Sequence, residues 1–144
     1  MIYIFILIVF LLDVMSKWLL LALLTGPVRV TDFFNLYLVY NNGVSFSMLR
    51  ETNTLVLAGI SAAIALFLFH WLLKEPAKWT RIGLALIIGG ALGNIFDRLY
   101  YGAVVDFLDF HWGPHHWPAF NLADTAICLG AFIIILKSLK RGKR

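Results

Sequence analysis

Charge is what this chain has least of. Only 14% of its 144 residues are charged, while 61% are hydrophobic. A soluble domain usually carries about 25% charged residues. A water-facing domain with this balance would expose apolar patches large enough to drive aggregation, which points to a membrane protein. There is a single cysteine, Cys128. It excludes an internal disulfide framework and reads as a small apolar residue buried inside a helix. No Ser/Gly-rich or Pro-rich linker and no internal repeat divides the chain, so 1–144 reads as one integral membrane domain. Acids are scarce, eight against twelve basic residues, and the net charge is +4. Five of the basic residues (Lys137, Lys140, Arg141, Lys143, Arg144) directly follow an apolar run. That placement suits a membrane-flanking tail and argues against a nucleic-acid partner.

The apolar residues collect in runs near the ~20 residues needed to cross the hydrocarbon core. Four stretches are expected to span: 2–24, 54–73, 79–96 and 122–136. The last can continue to about residue 139 on the aliphatic stems of Lys137 and Lys140. The first run lacks a basic leader and no A-x-A-like cleavage site follows it, so it reads as a retained span. Lys74, Lys78 and Arg81 lie between spans two and three, and with the C-terminal tail they put eight of the twelve basic residues on one side. By the positive-inside rule that side is cytoplasmic, with both termini facing in.

Most acids fall in or beside the other two links, 25–53 and 97–121, which then face outward. Residues 31–40 (TDFFNLYLVY) are aromatic-rich and partly alternating, and they run into Asn41-Asn42-Gly43. This is a hairpin signal, with 44–49 as a return strand or a short interfacial helix. Tyr100, Tyr101, Trp112 and Trp117 suit an aromatic belt at headgroup level. The expected fold is therefore an all-α membrane bundle of four helices, with a small β-rich cradle at about 31–53 and 97–121 and a short interfacial helix on the outer face.

Ionisable residues at membrane depth are costly and are functional candidates by default. Asp13 and Lys17, four residues apart within span one, share a helix face and read as a self-neutralised structural pair. Gly89 and Gly93 form a G-x-x-x-G that lets helix backbones approach. Asn94, Asp97 and Arg98 follow at the outer end of span three, either as a structural cap or as a cluster orienting another acid or a substrate backbone. Asp106 stands in an apolar string. Asp124 opens span four, where Asn121 and Asp124 could form a capping arrangement. Capping does not exclude chemistry. Two carboxylates close together in a low-dielectric site share one proton, so one can take a proton from water while the other polarises a peptide carbonyl. No serine has a G-x-S-x-G setting. His111, His115 and His116 lack the spacing of a helical metal motif, with Gly113-Pro114 between them, and no metal is expected there.

At these residues the chain resembles the bacterial lipoprotein signal peptidases (signal peptidase II). The resemblance covers nearly the whole chain and rests on GNIFDR (93–98), GAVVDF (102–107) and FNLADT (120–125), in that order. It implies cleavage of diacylglyceryl-modified prolipoproteins just before the lipidated cysteine. It also implies a place in the bacterial cytoplasmic (inner) membrane with the active site towards the outer face. Asp106 and Asp124 match the family's catalytic aspartates, Asn94, Arg98 and Asn121 its supporting polar positions, and Asn41 the asparagine of its N-x-G-A-A-F-S block. Asp97 and Gly43, inside those same blocks, are carried as further supporting or substrate-binding positions. No cofactor is implied, and a monomer among membrane lipids is expected. Two departures stand out. Val44 and Ser45 replace the two alanines, which bears on substrate fit, and Val14 replaces the glutamine of D-Q-x-[ST]-K, which bears on packing. Two other readings compete: a small ion-coupled carrier built on Asp13 and Lys17, and a non-catalytic membrane factor that binds lipidated proteins. The first should place its site at the midplane, where only those two residues lie. The second needs no carboxylates set in apolar strings.

Overall fold

The computed structural model describes residues 1–43 and 53–141, with the side chain of Arg141 excepted. Four helices carry the apolar runs: α1 (Ile2–Leu23), α2 (Thr54–Lys74), α3 (Lys78–Tyr100) and α4 (Leu122–Arg141). All four are long and apolar enough to cross a membrane. At ~1.5 Å per residue, a helix of some twenty residues reaches ~30 Å, the thickness of the hydrocarbon core. Their exposed flanks are large and apolar, as with Leu12, Met15 and Leu19 on α1 or Leu66 and Phe67 on α2. Such flanks suit lipid and would be a liability in water.

The bundle is organised around α3, which packs against each of the other three helices. Half of its most apolar stretch (50%) is buried, against 22% or less for the others. Glycines allow this crowding. A β-carbon on Gly90 would run into the Ala123 carbonyl of α4, and one on Gly93 into the Asp13 carboxylate of α1. Small residues at helix contacts are what membrane packing requires, because lipid supplies no hydrophobic drive between helices.

Helix α3 runs one turn beyond the expected end at residue 96. The i→i−4 ladder continues through Tyr101 N–H to the Asp97 carbonyl (2.7 Å). It ends where Gly102 takes a positive φ of 74°, the left-handed conformation that closes many helices at low cost to glycine. Asp97 and Arg98 are thus helical residues, carried on the buried last turn rather than in a link. Cys128 is also displaced from its expected place: it is exposed on α4 and faces outward from the bundle.

The links α1–α2 and α3–α4 meet in one antiparallel sheet of order β1-β2-β3-β4, made of β1 (Val28–Thr31), β2 (Phe34–Asn41), β3 (Val104–Trp112) and β4 (His115–His116). A hairpin that the sequence reading did not anticipate joins β1 to β2. The turn falls at Asp32-Phe33, where Arg29 pairs with Asp32 and the Thr31 hydroxyl accepts from the Phe33 N–H (3.4 Å). At Asn41-Asn42-Gly43 the Asn41 side chain accepts from the Gly43 N–H (3.0 Å), a local turn. The return strand or interfacial helix expected at 44–49 lies outside the described residues. The partner of β2 comes from the other link, with Phe34 opposite Phe110, Val39 opposite Asp106 and Asn41 opposite Val104. That register brings Asn41 beside the Asp106 carboxyl.

Candidate active site

Strand β3 enters the bundle almost wholly buried from Val104 to Phe107, and Asp106 is only 2% exposed. Its carboxyl is held from two sides. Asn41 of β2 donates to one oxygen (3.0 Å) and Asn121 to the other (2.8 Å). Burial raises the Asp106 pKa first, and the negative charge of Asp124 adds to it. Against the two asparagine donors and the more distant Lys17, the balance carries the group from its ordinary 3.8 to about 7.

Asn121, fully buried, links the strand to α4 and α3. Its amide also donates to the Val105 carbonyl (3.3 Å) and to the Asn94 side-chain oxygen (3.1 Å). Asn121 caps α4 as well. Its side-chain oxygen accepts from the Asp124 N–H (2.9 Å), and the Asp124 carboxylate faces the Asn121 N–H at 3.4 Å, a reciprocal arrangement. The other Asp124 oxygen accepts from Asn94 (2.8 Å). The two carboxyls are therefore joined through a chain of amides: Asp106, Asn121, Asn94, Asp124.

Beneath this chain lies a buried charge cluster. Lys17, 0% exposed, reaches Asp13 at 2.6 Å, Asp97 at 2.7 Å and the Asn94 oxygen at 3.3 Å. The Asp13–Lys17 pair is thus not self-contained. Asp13 accepts from the Ala123 N–H (2.9 Å), beside Asp124, and Asp97 accepts from the Val105 N–H (3.0 Å), beside Asp106. Each of these acids holds the backbone next to one member of the carboxyl pair. Arg98 adds contacts to the carbonyls of Gly43 (3.3 Å) and Asn94 (3.5 Å). Asn41, Gly43, Asn94, Asp97, Arg98, Asp106, Asn121, Asp124, Asp13 and Lys17 all belong to one connected network. Sequence reasoning missed the backbone donors of Val105 and Ala123, which no side-chain pattern could signal.

The histidines lie apart, at the far end of the sheet. Asp109 takes Asn35 (3.0 Å) and His116 (2.8 Å), and His111 stacks on His116 with centroids 5.0 Å apart. Burial would raise the Asp109 pKa, but the hydrogen bonds from His116 and Asn35 outweigh it and hold the group below its ordinary value.

Fold and site define a class: a multi-pass membrane protein that gathers paired acids where its sheet meets its helices, the equipment of an aspartic peptidase. The family model described as "Signal peptidase (SPase) II" matches residues 5–140. The chain is 45% identical to the lipoprotein signal peptidase of Vibrio vulnificus, over 94% of this chain and 86% of that one. It is 47% identical to the lipoprotein signal peptidase of Aeromonas hydrophila, again over 94% and 86%. Among solved structures, a bacterial membrane enzyme determined by the in meso method at 2.3 Å superposes with a TM-score of 0.87 at 26% identity, covering 96% of this chain and 87% of that one. A second, at 1.9 Å, gives 0.85 at 26% identity, covering 96% and 92%. The chain belongs to the signal peptidase II family.

Proposed function

We propose that this chain removes the signal peptide from diacylglyceryl-modified prolipoproteins, cutting on the N-terminal side of the lipidated cysteine, with Asp106 and Asp124 as the catalytic pair. The observation that carries the reading is the amide chain from Asp106 to Asp124 at the sheet-bearing end of the bundle. Asp106 carries the shared proton of the pair, and Asp124 acts as the base. Asp124 takes a proton from a water molecule as its oxygen attacks the scissile carbonyl carbon, while Asp106 gives its proton to the carbonyl oxygen. Collapse of the tetrahedral adduct returns the hydroxyl proton to Asp106 as the C–N bond breaks, and Asp124 passes the proton it took from water to the departing nitrogen. The products are a signal peptide with a new carboxylate and a lipoprotein with a free amino group on its lipidated cysteine.

Asn94, Asn121 and Asn41 hold the two carboxyls, and Asp97 holds the strand carrying Asp106. Arg98, which donates to the Gly43 carbonyl, ties the end of β2 to α3. Asp13 and Lys17 are the structural base of this assembly. The scheme needs water and no cofactor, and a single chain supplies every residue it uses. The basic excess around the α2–α3 link and the C-terminus supports an orientation with both termini in the cytoplasm and the site towards the outer face of the bacterial cytoplasmic membrane. The test is cleavage, by the purified chain, of a diacylglyceryl-modified prolipoprotein and its unlipidated counterpart. Cleavage of the lipidated form alone is expected. Equal cleavage of both would remove the lipid from the recognition, and cleavage of neither by a folded protein would favour the non-catalytic binding alternative.

A further inference from the structure

At the end of the bundle opposite the sheet, a groove of about 160 Å³ opens between the start of α3 and the end of α4. It is lined by Trp79, Ile133, Leu136, Lys137 and Lys140. Its two halves differ in chemistry. Ile133 and Leu136 lie on the membrane-spanning part of α4 and form an apolar floor. Trp79, Lys137 and Lys140 stand at the mouth, close to the start of α3 and the end of α4. The Lys137 ammonium lies 5.2 Å from the centre of the Trp79 ring, within cation–π range.

The positive charge at this mouth is not neutralised from within. Glu75 is the one acid in this part of the sequence, and its carboxylate is already occupied by the Trp71 indole N–H (2.9 Å) and the Ala77 backbone N–H (3.0 Å). Among the described residues, neither Lys137 nor Lys140 takes part in an ion pair. Helix α3 begins alongside, its N-cap Ala77 having no side chain that could bond the first-turn N–H groups, so the positive end of the helix dipole adds to the field of the lysines.

We infer that this groove is a binding site for one anionic phospholipid. Its phosphate sits between the ammonium groups of Lys137 and Lys140 beside the Trp79 ring, and an acyl chain runs along Ile133 and Leu136. Charge complementarity selects the headgroup, and the apolar floor selects a lipid over a free phosphate. The site is separate from the carboxyl pair and does not depend on the reaction assigned to it.

The test is native mass spectrometry of the full chain released from detergent with phosphatidylglycerol or phosphatidylcholine. Four forms are compared: wild type, Lys137→Gln/Lys140→Gln, Trp79→Leu, and a control pair Lys74→Gln/Arg81→Gln that removes the same charge outside the groove. Wild type should retain phosphatidylglycerol in preference to phosphatidylcholine. The groove pair should lose that preference by about tenfold and Trp79→Leu by about threefold, with the control changed less than about twofold. Equal losses in both lysine-removing pairs would reduce the effect to diffuse surface charge and overturn the inference. So would a wild type with no preference for the anionic lipid. Trp79→Leu keeps every charge, so it decides the matter if the groove pair fails to fold.

Discussion

Two residues carry most of the electrostatic argument. Asp106, whose pKa burial and then the charge of Asp124 raise to about 7, keeps its proton far above the ordinary carboxylate range. Its raised pKa means the acid form persists below pH 7 and is lost as pH rises through that value. If Asp106 donates to the carbonyl, kcat/KM should fall above pH 7, approaching roughly tenfold per unit. A profile flat from pH 7 to 9 would deny Asp106 that role. Lys17 is the second. It is fully buried, with carboxylates 2.6 and 2.7 Å away, so its single charge is shared between two acids. Lys17→Met leaves both uncompensated, and breaking a buried charge cluster in this way typically costs about 3–5 kcal/mol. At ~2–4 °C per kcal/mol for a chain of this size, thermal unfolding in detergent should begin about 10 °C lower. An unchanged midpoint would show that the cluster contributes nothing to stability.

Among the elements, α3 shows what a sequence reveals and what it hides. Its apolar body was legible as a span, but hydropathy ended it at residue 96 because Asp97 and Arg98 look like link residues. They are compatible with a helix only because Lys17, Val105 and Gly43 meet them from other parts of the chain. The Asp13–Lys17 pairing was legible from its i,i+4 spacing. The contact of Lys17 with Asn94 was not, since it joins residues 77 apart in sequence. The β2 strand was visible in its alternation, yet its pairing with β3 depends on two links meeting above the bundle, which local pattern does not encode. Cys128 was misjudged because an apolar helix in a membrane buries one face and offers the other to lipid, and the low contrast between the two hides which is which. The glycines permit a direct comparison. Gly90→Ala pushes a methyl into the Ala123 carbonyl, a backbone atom, whereas Gly59→Ala on α2 meets nothing within 4 Å. Gly90→Ala should lower the thermal midpoint by several degrees. Gly59→Ala should leave it unchanged or raise it slightly, because alanine is the better helix former by about 1 kcal/mol. Equal behaviour of the two variants would contradict the close α3–α4 contact.

For the whole molecule, four spans place the sheet and both termini at opposite ends of the bundle, and the positive-inside rule predicts that the end with the termini is cytoplasmic. A cysteine at position 77, in the α2–α3 link, should react with an impermeant maleimide only after the membrane is opened. The experiment needs a Cys128→Ser background, since the native cysteine is itself exposed. Labelling of intact cells would invert the orientation and turn the acids inward. At this scale the chain reads as a scaffold with two different ends. One is rich in basic residues; at the other, two links and three helices converge on buried carboxyls. The proposed chemistry belongs to the second end, and the central claim rests on Asp106 and Asp124. The measurement that tests it most directly is hydrolysis of a diacylglyceryl-modified prolipoprotein by purified wild type, Asp106→Asn and Asp124→Asn, each shown to be folded in the same detergent. Cleavage by wild type, with losses of at least about a thousandfold in both variants, is the predicted result. Near-wild-type turnover by either variant would contradict the assignment of the pair.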